Sequence, residues 1–400
     1  MLANFFQDER LMREFSVSFS YRQSKPYDEG FKKRVSREFD VRPRRLSDVS
    51  DLHASAQKLS PPLGWLLRAW ARAPMLRYWY VLCNTLRLYR VFEGIDLLHI
   101  NNGNYPGAYS CMSAVFAARL RGIKRIVYVV NNIAIPYYTP RRWFDYPLDR
   151  IVASTVTVFV TASLHARAEL VRVLRLPDRK ARSIHNGITP RITDETREAT
   201  RLRLGAPKGR LLLGVIAVLS PRKGHLILLE ALSLLKRQRT NQDNLIPFII
   251  LEGVGEMGTA IDEFIARHDL GEDVRRIGLE RNIFNLMAAI DAVVLPSVSH
   301  EDFPNIVLEA MSLGKPVIAS NLAGVPEQIE HMKSGILVDC GDVDALAEAM
   351  QLVADDPVLR ERIGKNAQQR FAERFTAEIA VSGYLALYHE VIGSKEGKPD

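Results

Sequence analysis

The sequence DAVVLPSVSHEDFPNIVLEAMSLGKPVIAS, residues 291–320, decides the predicted fold of this chain. Residues 292–295 form a short apolar run before Pro296, which is typical of a buried strand, and residues 316–319 form a second such run. Pro304 suits the first turn of a helix between them, because a missing N–H costs nothing there, and Gly314 suits its C-terminal cap. The stretch therefore predicts strand, loop, helix and strand, one unit of a parallel α/β sheet.

Two carboxylates frame the predicted helix. Glu301 lies in the loop before it, and Glu309 lies within it, eight residues later. Open α/β sheets bind ligands at the carboxyl ends of their strands, and the N-terminus of a helix favours a phosphate. A phosphate flanked by two hydroxyl-rich groups, each held by one carboxylate, describes a nucleotide sugar. The alternative for either glutamate taken alone is a solvated surface acid.

Residues 300–320, HEDFPNIVLEAMSLGKPVIAS, resemble the E-x7-E signature of the retaining glycosyltransferases of family 4. This resemblance implies the GT-B fold, in which two Rossmann-like domains face a cleft. It also implies that Glu301 contacts the sugar of the donor and Glu309 its ribose. The residues that it places along the donor between them are Phe303, Pro304, Asn305 and Ile306.

A lysine follows the strand predicted at 211–218. In the loop LSPRKGH, Lys223 is placed to reach a diphosphate as a point charge, and the resemblance supports that role. The family usually has an arginine five residues before this lysine, but Val218 occupies that position here. Arg222 is therefore the neighbouring candidate cation. The alternative for Lys223 is an exposed turn residue.

Residues 253–258, GVGEMG, match the dinucleotide-binding fingerprint and keep an NAD-dependent oxidoreductase open as an alternative. That fingerprint belongs after the first strand of its half, whereas this turn follows the second predicted strand, at 247–251. The resemblance instead implies a glycine-rich turn beside the donor, with Gly253 and Gly255 as donor-binding residues. It also places the backbone at Leu279 against the nucleobase.

The first domain does not open with the expected strand and glycine-rich turn. Residues 2–13 predict an amphipathic helix and residues 15–21 a strand, so that either translation begins upstream or the protein does without this element. The acceptor-side candidates lie at the end of the strand predicted at 95–100 or follow the strands predicted at 95–100 and 125–130, and they are His99, Asn101, Gly103 and Asn131. Asn131 stands where the family often has a histidine, and asparagine cannot move a proton at neutral pH. For His99, a structural role is the alternative.

The composition fits an ordinary two-domain globular protein. The chain has 400 residues, 47% hydrophobic and 25% charged, and no apolar run reaches the ~18 residues that cross a bilayer. Three scattered cysteines, Cys83, Cys111 and Cys340, favour a reducing compartment without disulfides. Asp342 and Asp344 precede a predicted helix, so they indicate a helix N-terminus rather than a metal site. The sequence predicts neither a metal nor a cofactor.

The net charge is +8, and one segment concentrates basic and aromatic residues. Residues 52–92 contain no acid but carry Lys58, Arg68, Arg72, Arg77, Arg87 and Arg90, interleaved with Trp65, Trp70, Tyr78, Trp79 and Tyr80. This pattern predicts either peripheral contact of residues 63–92 with an anionic membrane or a helical pair packed on the sheet with arginines reaching outward. No recognised nucleic-acid motif accompanies it, and nucleic-acid binding is not predicted.

The predicted boundaries are an acceptor-side domain at 1–190, a linker at 191–209, a donor-binding domain at 210–371 and a returning helix at 372–393. The tail 394–400 is predicted to be disordered. The predicted activity is retaining, metal-independent hexosyl transfer from a nucleoside-diphosphate sugar to a glycan or lipid-linked acceptor. It would serve polysaccharide synthesis in the cytoplasm, at the inner face of the cell membrane. The alternative is a nucleotide-binding protein without turnover.

Overall fold

The computed structural model describes residues 5, 8–24, 28, 40–47, 56–65, 74–238 and 246–393. The predictions for Arg68, Trp70, Arg72 and the tail 394–400 lie outside these residues. The strands are β1 Ser18–Arg22, β2 Asp40–Arg44, β3 Leu97–Asn102, β4 Arg125–Val130, β5 Val158–Thr161, β6 Ala181–Ser183, β7 Leu212–Ile216, β8 Phe248–Glu252, β9 Val274–Ile277, β10 Ala292–Leu295, β11 Val317–Ser320 and β12 Ile336–Val338. The helices are α1 Glu9–Glu14, α2 Pro74–Tyr89, α3 Tyr109–Leu120, α4 Pro140–Trp143, α5 Tyr146–Thr155, α6 Leu164–Leu174, α7 Arg197–Arg203, α8 His225–Gln238, α9 Gly258–Arg267, α10 Ile283–Ala289, α11 Asn305–Ser312, α12 Val325–Gln328, α13 Val343–Asp355, α14 Pro357–Arg374 and α15 Ala377–Gly393. None of the described helices is long and apolar enough to span a bilayer.

The chain divides into two compact units. The first contains residues 1–185 and 380–400, and the second contains residues 186–379. Most of the last helix, α15, therefore belongs to the first unit. This helix begins at Ala377 rather than near residue 372, because Phe375 leaves helical geometry after α14 ends at Arg374.

The first unit is built on a four-stranded parallel sheet in the order β3-β4-β5-β6. Successive side chains of a strand point to opposite faces, so β4 contributes to two cores. Val127 and Val129 pack in one cluster with Tyr384 and Val381 of α15. Tyr128 belongs to the other cluster, which includes buried residues of α3. Strands β1 and β2 form a separate two-stranded parallel sheet.

A buried charged cluster fixes α2 to the segment that carries α4 and α5. Arg77 is 1% exposed, and its guanidinium lies 3.2 Å from an oxygen of Asp145. Arg142 Nη1 lies 2.6 Å from Asp149 and 3.3 Å from Asp145, so the cluster contains two cations and two carboxylates. Arg77 therefore points inward, and the expectation that the arginines of this segment reach outward is wrong for this residue.

The second unit is a six-stranded parallel sheet in the order β12-β11-β10-β7-β8-β9. This order runs outward in both directions from the pair β7 and β10, which is the doubly wound pattern. The predicted strand, helix and strand are present as β10, α11 and β11. Pro304 is the N-cap of α11, and Gly314 follows its C-cap with a φ of 63°.

The segment predicted as a linker folds with the second unit. Helix α7 lies here, and the guanidinium groups of Arg197 and Arg201 both contact the carboxylate of Asp291. Burial alone would raise the pKa of Asp291, but the Leu212 amide and these arginines lower it below its usual value. The charged residues of the segment thus attach it to the start of β10.

Candidate functional site

The loops that follow β7 and β10 meet at the centre of the second unit's sheet. Strand order reverses between these two strands, and this switch point is where doubly wound sheets bind ligands. The amide of Val298 donates to the carbonyl of Arg222 at 2.8 Å. Gly224 has a φ of 68°, and a Cβ atom there would lie 1.9 Å from the carbonyl oxygen of Pro296. Glycine is therefore required where the two loops touch.

Glu301 is the centre of this contact. Glu301 is 7% exposed, and its Oε1 accepts a short hydrogen bond from Lys223 Nζ. The hydroxyl of Ser297 donates to the same oxygen at 3.0 Å, and Arg222 Nη1 lies 3.3 Å away. The structure thus brings together three of the predicted site residues and adds Ser297.

Lys223 and the start of α11 provide positive charge beside Glu301. An ammonium has three N–H donors, and Glu301 takes one of them. The first amides of a helix have no partner within the helix, so Asn305 and Ile306 begin a site that favours an anion. Glu309, which is half-buried, follows in the same helix. Phosphate oxygens fit this set of donors.

Two of the predicted donor residues, Phe303 and Pro304, also make contacts that hold the second unit together. Phe303 is 5% exposed, and its ring packs edge-on against Phe375 with centroids 5.7 Å apart. Its side chain belongs to the core, so only its backbone can face a ligand. The carbonyl of Pro304 accepts from the side-chain amide of Gln328 at 3.1 Å, which fixes the start of α11.

The glycine-rich turn after β8 packs directly on the loop after β7. A Cβ atom on Gly253 would lie 2.1 Å from the carbonyl oxygen of Ala217, and one on Gly255 would lie 2.3 Å from that of Leu219. The amide of Leu219 donates to Val254 at 3.1 Å. These glycines therefore serve close backbone packing, one strand away from the switch point.

The loop after β9 exposes Leu279, and a hydrogen bond to the buried carboxylate of Glu252 fixes its backbone. Leu279 is 74% exposed, and Glu252 Oε1 accepts from the amide of Glu280 at 2.8 Å. Burial raises the pKa of Glu252 above its usual value, although this amide acts in the opposite direction. The loop borders a cavity of about 300 Å³ that Arg203 and Arg275 also line.

Sequence reasoning missed the side chains that support the predicted residues. Ser297, Glu252 and Gln328 are buried polar groups whose role depends on contacts with other strands and loops. His225 follows Gly224 and is 2% exposed. Burial and the charge of Lys223 lower its pKa to about 4, so it is neutral at pH 7. A polar residue inside an apolar run, such as Glu252 after 248–251, was the available signal.

The acceptor-side candidates Asn101 and Asn131 meet at the ends of β3 and β4. Asn131 Nδ2 donates to Asn101 Oδ1 at 2.9 Å. The side chain of Asn102, 3% exposed, shapes the next turn by accepting from the Gly103 amide at 2.9 Å and from that of Ala108 at 3.1 Å. Asn102 was not predicted. The acceptor role of the other three residues stays a prediction.

His99 faces an aromatic cluster. Its Nδ1 lies 2.6 Å from the hydroxyl of Tyr388, and the rings of Phe5 and Tyr384 lie 5.7 Å and 5.6 Å from its own. Burial of the ring lowers its pKa to about 4. These contacts favour the structural role over contact with an acceptor.

Asp342 caps a helix, as predicted. Its carboxylate accepts from the amide of Ala345 at 2.9 Å, at the start of α13. Within the parts of the chain that the structure describes, no three His, Cys, Asp or Glu side chains are grouped so that they could hold a metal ion.

Comparison with known families decides what the second unit is. Residues 196–370 match the model of the family described as glycosyl transferases group 1. The second unit carries a glycosyl transferases group 1 domain. The E-x7-E resemblance, which lies within the matched residues of this group 1 domain, is thereby confirmed.

Individual relatives cover different shares of the chain. Lipopolysaccharide core biosynthesis glycosyltransferase LpsD of Rhizobium meliloti is 31% identical over 148 residues, 37% of this chain and 43% of that protein. The UDP-Gal:alpha-D-GlcNAc-diphosphoundecaprenol alpha-1,3-galactosyltransferase of Escherichia coli is 22% identical over 95% of this chain and 98% of its own length. The chain spans about half the length of the curated relatives that it matches first.

A solved structure shows that the fold extends beyond the group 1 domain. Anabaena HepE in complex with UDP-glucose superposes with a TM-score of 0.71, at 19% identity, over 96% of this chain and 95% of its own. The predicted GT-B fold, with two Rossmann-like α/β domains, is confirmed.

Proposed function

We propose that this chain is a glycosyltransferase that moves a sugar from a nucleoside-diphosphate sugar to an acceptor hydroxyl. The observation that carries this proposal is the contact of Lys223 with Glu301 at the switch point, beside the start of α11. The group 1 domain at 196–370 and the sugar-transfer names of the relatives support the same activity.

Each group in the site has a role in the proposed reaction. The bond between the anomeric carbon and the diphosphate oxygen breaks, and negative charge grows on the diphosphate. Lys223 and the first amides of α11 stabilise that charge. Glu301 accepts hydrogen bonds from hydroxyls of the sugar, and Glu309 accepts hydrogen bonds from hydroxyls of the ribose. The acceptor oxygen bonds to the anomeric carbon, and its proton leaves with the diphosphate.

Retention of configuration and independence from metal ions are part of this proposal. Retention is supported by the E-x7-E resemblance, and no protein nucleophile is assigned. Metal independence rests on positive charge supplied by Lys223 and the helix N-terminus, with Arg222 as a further cation.

The acceptor is proposed to be a glycan or a lipid-linked glycan in cell-surface polysaccharide synthesis. The name of the Escherichia coli relative, which aligns with nearly the whole chain, includes a diphosphoundecaprenol-linked sugar. An acceptor of that class would place the protein at the inner face of the cell membrane.

One observation favours the alternative of nucleotide binding without turnover. Val218 is 58% exposed at the position where the resemblance expects an arginine. A diphosphate held by fewer cations is stabilised less in the transition state, so turnover could be lost while binding remains.

The test is a thermal-shift panel of UDP, GDP, ADP and NADH on wild type, Glu309→Ala and the control Glu348→Ala, an exposed acid on α13. A ligand at ~100 times its dissociation constant adds about 2.7 kcal/mol of stability. We expect one nucleoside diphosphate to stabilise wild type and the control but not Glu309→Ala. Release of that nucleoside diphosphate from its sugar conjugate then separates turnover from binding. A shift with NADH alone would refute the proposal and favour the oxidoreductase.

A further inference from the structure

Helix α2 exposes a continuous apolar stripe. Met75, Trp79, Leu82 and Leu86 are 74%, 61%, 51% and 57% exposed. Their spacing of four, three and four residues places them on one face of the helix. A stripe of large apolar side chains in water marks an interaction surface more often than isolated exposed residues do.

The opposite face of α2 is already used. Leu76, Val81 and Leu88 are buried, and α2 packs along α3. The pairing of Arg77 with Asp145 fixes this face inward. The helix is therefore apolar on two sides, and the exposed stripe is not needed for the fold of the first unit.

Basic residues border the C-terminal end of the stripe. Arg87 donates to the hydroxyl of Ser47 at 2.8 Å and to the carbonyl of Arg45 at 3.3 Å, which brings this segment alongside the helix. Arg45, Arg87 and Arg90 are all exposed. Residues 52–92, which include Arg87 and Arg90, contain no acid, so no carboxylate of this segment offsets the charge of these two arginines.

We propose that the stripe of α2 and its basic border form the contact surface for an anionic lipid bilayer, on which the helix lies without crossing. Trp79 and the leucines would enter the boundary between headgroups and acyl chains, and the three arginines would contact acidic headgroups. This goes beyond the proposed function and rests on it only for the purpose of the contact, which is access to a lipid-linked acceptor.

Charge favours lipid over a second copy of the chain. A two-fold interface built on this stripe would set two copies of the same surface against each other, so residues 52–92 of the second copy would offer no carboxylate to the basic border. Like charges across an interface are unfavourable, whereas acidic headgroups neutralise them.

The experiment is co-sedimentation of the full chain with vesicles of phosphatidylcholine, with and without about 30% phosphatidylglycerol. We expect binding to the anionic vesicles that weakens as salt is raised, and little binding to the neutral ones. The double variant Trp79→Ser/Leu86→Ser should lower the partition coefficient by at least about tenfold, because two large apolar side chains no longer leave water. Arg90→Ser should weaken binding to the anionic vesicles alone.

The matched control is Leu164→Ser/Leu202→Ser, which removes two leucines of 59% and 81% exposure elsewhere. It should bind as wild type does, and both double variants should keep the wild-type melting temperature. The inference is overturned if wild type does not bind anionic vesicles, if the stripe variant binds equally well, or if it converts a dimer to a monomer in analytical ultracentrifugation. If no nucleoside diphosphate shifts the melting temperature of wild type while vesicle binding is intact, the result would count against the proposed function and not against this surface.

Discussion

Replacing Lys223 by methionine tests whether the contact between Lys223 and Glu301 at the switch point stabilises the second unit. The side chains of Lys223 and Glu301 are 12% and 8% exposed, so this is a nearly buried ion pair. Removing one partner of a buried pair typically costs about 3–5 kcal/mol, because the other charge loses its compensation.

The remaining contacts of Glu301 lower the free-energy cost of losing Lys223. Ser297 still donates to Glu301 Oε1 at 3.0 Å, and Arg222, 40% exposed, still lies 3.3 Å away. A hydrogen bond to a charged group is worth about 1.5–3 kcal/mol, and the exposure of Arg222 weakens its share. We therefore expect Lys223→Met to destabilise the second unit by about 2–3 kcal/mol.

The assay is thermal unfolding by far-UV circular dichroism in a double-variant cycle. For a domain of this size, 1 kcal/mol corresponds to about 2–4 °C, so Lys223→Met should melt about 5–10 °C lower. Lys223→Met/Glu301→Gln should lose less than the sum of the single variants, with a coupling energy of about 1–3 kcal/mol. Lys236→Met is the control, since its ion pairs with Asp269 and Asp273 lie nearer the surface and should cost under about 1 kcal/mol.

Ligand binding distinguishes the role proposed for Lys223 from the role proposed for Glu301. If Lys223 holds the diphosphate and Glu301 the sugar, Lys223→Met should lose the thermal shift with the nucleoside diphosphate that stabilises wild type, whereas Glu301→Gln should keep it. Strictly additive stabilities, or a wild-type shift with that nucleoside diphosphate in Lys223→Met, would refute the reasoning.

Two further predictions concern Gly224 and His99. Gly224→Ala should destabilise the second unit by about 3 kcal/mol or more and abolish the thermal shift with the nucleoside diphosphate, because its Cβ would lie 1.9 Å from Pro296 O at a positive φ. Gly271→Ala, whose Cβ would meet no atom within 4 Å, should melt as wild type does, and equal melting of the two variants would contradict this argument. The lowered pKa of His99, about 4, means that the native state disfavours the charged ring, so its stabilisation is complete above pH ~6.5 and is lost as pH falls towards 4. Wild type should lose about 2 kcal/mol more than His99→Gln between pH 7 and pH 5 in urea unfolding, and equal losses would show that another group controls the acid response.

The sequence by itself determined the local elements of the second unit. Residues 291–320 predicted β10, α11 and β11 because apolar runs, proline at the helix start and glycine after its end act through nearest neighbours. The same stretch carried the family resemblance. That resemblance pointed to Glu301 within the stretch and to Lys223 in the loop after β7. Predictions of this kind need no knowledge of which segments meet.

The tertiary structure decided which residues meet and which way side chains point. Lys223 and Glu301 are 78 positions apart, and only the order of β7 and β10 in the sheet places their loops in contact. The pattern of residues 74–89 did not tell which apolar face of α2 packs, because both faces carry large hydrophobic side chains. Burial of Arg77 with Asp145 settled the inner face and left Trp79 in water. Periodicity defines faces, but the packing partner that buries one of them comes from a distant part of the chain.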